Sequence, residues 1–197
     1  MSDAMNNFAE KNDSQLISAY LNGDEHAFEQ LYHRYRTMLY GYLNNMLQNN
    51  SAEVDEVFSE TWIRIIDKLP GYRDDGKFSA WLFRVAKNIF IDRLRRFHPE
   101  RFTAIDDENV PELPDGKTLS PDRELGATDT GKAILAALER LPEEQKEVFL
   151  LREQEFSFKE IAEIQQCSLN TVLSRMRYAI KTLRNFLSDF DRGGLIR

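Results

Sequence analysis

The chain has 197 residues, 42% hydrophobic and 30% charged, with 9 Gly and 6 Pro. This composition fits one large or two small globular domains and excludes disordered and collagen-like chains. A single cysteine excludes a disulfide framework and a multi-cysteine zinc site, and His26, His33 and His98 lack metal-ligand spacing, so no metal and no cofactor is expected.

No apolar run approaches the ~18 residues of a membrane span. The opening MSDAMNNFAEKND lacks the basic and apolar parts of a signal peptide, which predicts a cytoplasmic protein without membrane insertion. The net charge of −7 discourages a nucleic-acid reading, but its distribution restores one. Residues 77–102 carry 7 bases against 2 acids and residues 167–197 carry 6 against 2, two basic islands in an otherwise acidic chain.

The first block, about residues 14–98, has apolar residues at helical spacing throughout. Ala27, Phe28, Leu31, Tyr32, Tyr35, Leu39, Tyr42, Leu43 and Met46 form one stripe; Val54, Val57, Phe58, Thr61, Trp62, Ile65 and Leu69 form a second. Ser51 is the expected N-cap of the second helix, with Glu53 and Asp55 favoured by the helix dipole. Pro70-Gly71 ends it and opens a polar loop. Asp55, Glu56 and Glu60 share one flank of this helix with Phe58, Thr61 and Ile65, which is either a solvated acidic face or a rim suited to a basic helical partner.

A third stripe, Phe78, Trp81, Leu82, Val85, Ile89 and Leu94, is interleaved with Lys77, Arg84, Lys87, Arg93, Arg95 and Arg96. Bases beside aromatics suit single-stranded nucleic acid, whose bases stack while its phosphates are neutralised. The same aromatics suit a core, and the terminal arginines suit the C-terminal end of a helix dipole. Asn88 could bond the edge of an unstacked base or cap a neighbouring loop.

Residues 99–131 hold four prolines, three glycines, nine acids and few large apolar residues, the composition of a linker. Extended, it would reach on the order of 100 Å. A second helical block, about 132–190, follows. Ile134, Leu135, Leu138 and Leu141 form its first stripe, and Pro142 is expected in the first turn of the next helix. Ser157 and Glu160 form a capping box that predicts a helix over 158–165. Gln166–Ser168 is a three-residue turn and Ser168 a second N-cap before Leu169.

With Ile161, Ala162, Cys167, Leu169, Val172 and Met176 inward, this is a helix-turn-helix pattern, or failing that a simple helical hairpin. The second helix offers Asn170, Thr171, Leu173, Ser174, Arg175, Arg177, Tyr178 and Lys181, and residues 169–184 contain four bases and no acid, which suits duplex DNA.

Taken in order, VDEVFSETW, FSAWLFRVAKNIFIDRLRR and LERLPEEQKEVFLLREQEFSFKEIAEIQQCSLNTVLSRMR resemble bacterial sigma-70-type initiation factors, in the short extracytoplasmic-function group that keeps only regions 2 and 4. The resemblance implies an all-α fold of two small helical domains joined by an extended acidic linker.

It further implies an alternative sigma factor, not an enzyme, with core RNA polymerase and promoter DNA as partners, an anti-sigma factor as regulator and no small-molecule substrate. Region 2, 14–98, would dock the polymerase clamp coiled coil through Asp55, Glu56, Phe58, Ser59, Glu60, Thr61 and Ile65. It would bind the unpaired –10 strand through Lys77, Phe78, Trp81, Arg84, Lys87, Asn88, Asp92, Arg93, Arg95 and Arg96. Region 4, 132–190, would touch the polymerase flap and read the –35 duplex through Ser168, Asn170, Thr171, Leu173, Ser174, Arg175, Arg177, Tyr178 and Lys181. Gln166 stands where such turns often carry Gly, Leu173 and Tyr178 where relatives often carry bases, and Ser59 where Gln is usual. A helix-turn-helix regulator that never joins the polymerase is the alternative reading.

Overall fold

The computed structural model describes residues 11–48, 50–73, 75–97, 134 and 136–194, with side chains described to 188. The expected linker, 99–131, lies outside these residues. Every regular element among the described residues is helical. Four helices make the first block: α1 (Asp13–Leu21), α2 (Glu25–Met46), α3 (Ser51–Lys68) and α4 (Phe78–Phe97). A short stretch of helix ending at residue 139 then leads to α5 (Glu143–Glu153), α6 (Phe158–Gln165) and α7 (Leu169–Gly194).

The caps follow local chemistry. Asn12 and Gln15 exchange side-chain to backbone bonds of 3.0 Å each and start α1 with a capping box. Gly23, at φ 97, turns the chain from α1 into α2, a conformation glycine adopts without strain. Two expectations shift by one residue. Ser51 is the first residue of α3 rather than its cap; Asn50 precedes it without a side-chain cap bond. Pro142 is the N-cap of α5 rather than a first-turn residue, with extended ψ of 146°.

The first core is built largely from the spacings that the sequence displays: Leu31, Leu39, Tyr42 and Leu43 of α2, Val54, Val57 and Ile65 of α3, and Leu82 and Ile89 of α4 are buried, joined by Phe83 and Ala86, which lie outside the third stripe. Core burial at this density stabilises by ~25 cal/mol per Å² of apolar surface. Val148 and Leu151 of α5, Ile161 and Ile164 of α6, and Val172 and Ala179 of α7 form the second.

The two cores meet. α4 packs on α6 and α2 on α5, and the Phe83 and Phe156 rings lie edge to face at 4.9 Å. Among the described residues no helix is long and apolar enough to cross a membrane.

Candidate nucleic-acid and polymerase interfaces

The acidic rim sits on α3. Asp55, Glu56 and Ser59 are exposed, with Glu60 partly so. The rim is braced by its neighbours: Tyr40 donates to Asp55 at 2.9 Å, Arg64 to Glu60 at 2.6 Å, and Arg93 reaches from α4 to both Glu56 and Glu60. The bond to Asp55 raises the Tyr40 hydroxyl pKa above its ordinary value.

The apolar part of the rim is not the expected one. Thr61 and Ile65 are wholly buried, and the Thr61 hydroxyl donates to the Val57 carbonyl at 2.6 Å. Both are buried in the core, so neither is a surface contact. Phe58 is half-buried against Tyr32, Tyr40 and Trp62. The side chains that stand out are Ile63, 59% exposed, and Ile66, 38% exposed. They follow Asp55 and Ser59 at helical intervals, the signal by which Ile63, absent from the sequence-derived set, could have been found.

The second site is an open cleft of about 670 Å³ where the α3–α4 turn meets the start of α4, lined among others by Tyr72, Arg73, Lys77, Trp81, Arg84 and Glu163. Tyr72 and Trp81 stack at 4.3 Å, tilted by only 21°, and Trp81 stays partly exposed. Phe78 is a correction: it is 1% exposed, wedged between Tyr35, Tyr72 and Trp81, and supports the platform rather than offering a face to a base.

Lys77 is bonded to Glu163 of α6 at 2.6 Å, and that hydrogen bond and charge hold its ammonium pKa above its ordinary value. Lys87 is bonded to Glu147 of α5 at 2.7 Å, and the exposed Asn88 accepts from Gln166 at 3.3 Å. Arg93 is turned toward the acidic rim, away from this cleft. Asp92, Arg95 and Arg96 are exposed on the last turns of α4, where the two arginines oppose the negative end of the helix dipole. The structure therefore gathers Lys77, Trp81 and Arg84 in one cleft, sets Lys87 and Asn88 against the second block, and leaves Asp92, Arg95 and Arg96 at the far end.

The third site is the α6–α7 pair. The Ser157–Glu160 capping box is present at 3.2 and 2.8 Å, and α6 spans the expected residues. Gln166 takes the left-handed conformation, φ 54 and ψ 43, that turns the chain. Ser168 Oγ then accepts from the Thr171 amide at 3.1 Å and pairs with its hydroxyl at 2.8 Å, so both side chains serve the cap.

Val172, Ala179 and Leu183 bury one face of α7. Asn170, Leu173, Arg177, Tyr178 and Lys181 are exposed, and Ser174 is partly exposed. Arg177 lies over the Tyr178 ring at 5.7 Å. Leu169, expected inward, is 39% exposed, because α7 begins there and its first apolar anchor is Val172. Arg175 turns back to the motif's own turn: its Nη1 donates to Gln165 Oε1 at 2.9 Å and contacts Cys167 Sγ at 3.5 Å.

Comparison with known proteins agrees with this architecture. The Sigma-70 region 2 family model matches residues 31–98, and the Sigma-70 region 4 model matches residues 131–183. The ECF RNA polymerase sigma-E factor of Haemophilus influenzae is 30% identical over 181 residues, covering 88% of this chain and 94% of that protein. The RNA polymerase sigma-H factor of Pseudomonas aeruginosa is 30% identical over 189 residues, covering 93% and 97%.

Two solved structures share the fold. The sigma factor RpoE of Bartonella quintana, in complex with the anti-sigma factor NepR, has a TM-score of 0.64 at 21% identity over 82% of this chain and 96% of that one. CnrH, in complex with the cytosolic domain of CnrY, has a TM-score of 0.65 at 23% identity over 90% and 97%. With both halves matched in order and nearly the full length of these relatives spanned, the chain belongs to the sigma-70 family of RNA polymerase sigma factors, in the extracytoplasmic-function group.

Proposed function

We propose that this sigma factor works through three separate surfaces of one chain. The α3 rim, with Asp55, Glu56, Ser59 and Glu60 around Ile63 and Ile66, docks on the clamp coiled coil of core RNA polymerase. The cleft holding Tyr72, Lys77, Trp81 and Arg84 takes the unpaired –10 strand. The exposed face of α7, from Asn170 to Lys181, enters the –35 major groove. Residues 14–98 and 132–190 act as the two domains, and a linker over 99–131 lets them part.

The division of labour follows from magnitudes. The four bases of residues 169–184 bind duplex DNA weakly at physiological salt, so the polymerase supplies bulk affinity and this subunit supplies selectivity. Unstacking a base costs a few kcal/mol. A base on an aromatic platform recovers ~1–3 kcal/mol, so the Tyr72–Trp81 stack offsets that cost for one captured base. The chain makes and breaks no covalent bond, acts in the cytoplasm, and is held in check by an anti-sigma partner, as the Bartonella quintana RpoE is paired with the anti-sigma factor NepR.

The observation that carries this reading is the pairing, on one chain, of an aromatic-cationic cleft and an acid-free helix-turn-helix face. Permanganate footprinting of open complexes tests it. Trp81→Ala should suppress reactivity of melted thymines at –10 while leaving closed-complex formation intact. Equal losses of closed and open complexes would contradict base capture.

A further inference from the structure

Two cations of the first block, Lys77 at the cleft and Lys87 on α4, are already occupied by carboxylates of the second block. Lys77 Nζ lies 2.6 Å from Glu163, and Lys87 Nζ lies 2.7 Å from Glu147. Those are the distances of charge-assisted hydrogen bonds, the kind a phosphate oxygen would make.

Glu147 is the more deeply placed of the two acids, its side chain 3% exposed. Its Oε1 accepts from Tyr42 of α2 at 2.8 Å, and its Oε2 accepts from both Lys87 of α4 and Gln165 of α6, the latter at 2.8 Å. Gln165 in turn accepts from Arg175 of α7. An unbroken polar chain, Lys87–Glu147–Gln165–Arg175, therefore joins the –10 helix to the –35 helix. Two further side chains of the second block clasp the α2 backbone: Lys146 donates to the Asn45 carbonyl at 2.5 Å and Gln154 to the Met38 carbonyl at 3.1 Å.

This arrangement excludes promoter binding by both domains at once. Asn88 of the –10 helix touches Gln166 of the –35 turn at 3.3 Å, whereas the two promoter elements lie one and a half to two DNA turns apart, on the order of 50–65 Å. The domains must separate before the protein can work. Their seam is suited to separating: opening returns both charges of the buried Lys87–Glu147 pair to water, whereas removing one partner from the closed seam leaves the other charge buried and unpaired.

We propose that Glu147, assisted by Glu163, is an intramolecular latch that stands in for DNA phosphates, keeps the free protein closed and withholds Lys77 and Lys87 from nucleic acid until the domains are drawn apart. The inference rests on the strand-binding role given to Lys77 under the proposed function and extends that role to Lys87.

The test uses the full chain. Glu147→Gln combined with Glu163→Gln removes both carboxylates at constant volume, and Tyr42→Phe weakens the latch without changing charge. Glu139→Gln with Glu153→Gln, two exposed acids outside the seam, controls for charge. Small-angle X-ray scattering reads the separation of the domains, and fluorescence anisotropy with labelled oligo(dT) reads strand affinity. Circular dichroism confirms that each variant is folded.

Because apparent affinity scales with the open fraction, the latch double variant should expand and bind oligo(dT) at least ~10-fold more tightly. Tyr42→Phe should shift both readouts in the same direction, and the control should match wild type. Unchanged scattering in the folded latch variants would overturn the latch. Expansion with unchanged affinity, or a control that gains as much, would overturn the withholding of the lysines. Run-off transcription with core polymerase separates the two readings: its failure would refute the initiation role and leave the scattering result standing.

Discussion

Arg177 and Arg175 lie two residues apart in the helix proposed to read the –35 duplex, and the structure gives them different work. Arg177 is exposed on the acid-free face. Arg175 is half-buried and tied to Gln165 and Cys167 inside the turn. If Arg177 neutralises one phosphate, Arg177→Ala should lower the slope of log affinity against log salt by about 0.9. Between 50 and 200 mM salt that amounts to a factor of roughly 3.5 in affinity lost from the salt dependence. Stability should be unchanged.

Arg175→Ala removes a charged donor from the buried Gln165 amide and should destabilise the second block by ~1–2 kcal/mol, with the salt slope retained. The assay is a salt titration of holoenzyme binding to a –35-containing fragment, beside thermal unfolding of the free protein. The reasoning fails if Arg175→Ala lowers the slope while Arg177→Ala lowers the melting temperature.

Other expectations concern the fold that positions these surfaces. Phe83 is wholly buried and meets Phe156 across the two blocks, so Phe83→Ala should cost ~3–5 kcal/mol in urea unfolding; a loss under 1 kcal/mol would contradict that packing. Gln166 holds φ 54 without a glycine's freedom, so Gln166→Gly should leave the fold intact and raise stability by ~0.5–1 kcal/mol. A clear loss would show that its 3.3 Å bond to Asn88 outweighs the backbone strain.

Burial first, then the Glu147 charge, hold the Tyr42 hydroxyl well above its ordinary value of 10.0, and burial with Asp13 does the same for Tyr35. A raised folded-state pKa gives stability that is complete below pH 10 and lost as pH rises through the folded value. Stability should therefore fall above about pH 10, and Tyr42→Phe should flatten that fall. An unaltered alkaline limb would contradict the assignment.

Much of the local structure was legible because it is local. The Ser157–Glu160 box, the Ser168 cap and the left-handed turn at Gln166 all depend on residues within three positions of one another, and they stand where the spacing put them. The rotational phase of α3 was harder. Ile63 and Ile65 are both β-branched and apolar, two positions apart, and therefore on nearly opposite faces. Only packing against α2 and α4 decides that Ile65 is core and Ile63 is surface. Phe78 misled for the same reason, as an aromatic beside a lysine fits a base platform or a core equally well.

The contacts between blocks were beyond reach of periodicity. Tyr42 and Glu147 are 105 residues apart, Lys77 and Glu163 are 86, and Lys87 and Glu147 are 60. No helical spacing relates them, and each reads alone as an ordinary core or surface residue.

The three-surface account is tested most directly by run-off transcription, with purified core RNA polymerase and this protein on a library of genomic promoter fragments. Transcripts should begin at defined start sites only when the protein is present. They should be lost when the –35 face is disrupted by Arg177→Ala with Lys181→Ala, or when the –10 cleft is disrupted by Trp81→Ala. Polymerase that starts no defined transcript with the wild-type protein, or starts equally well with both disrupted forms, would contradict the account.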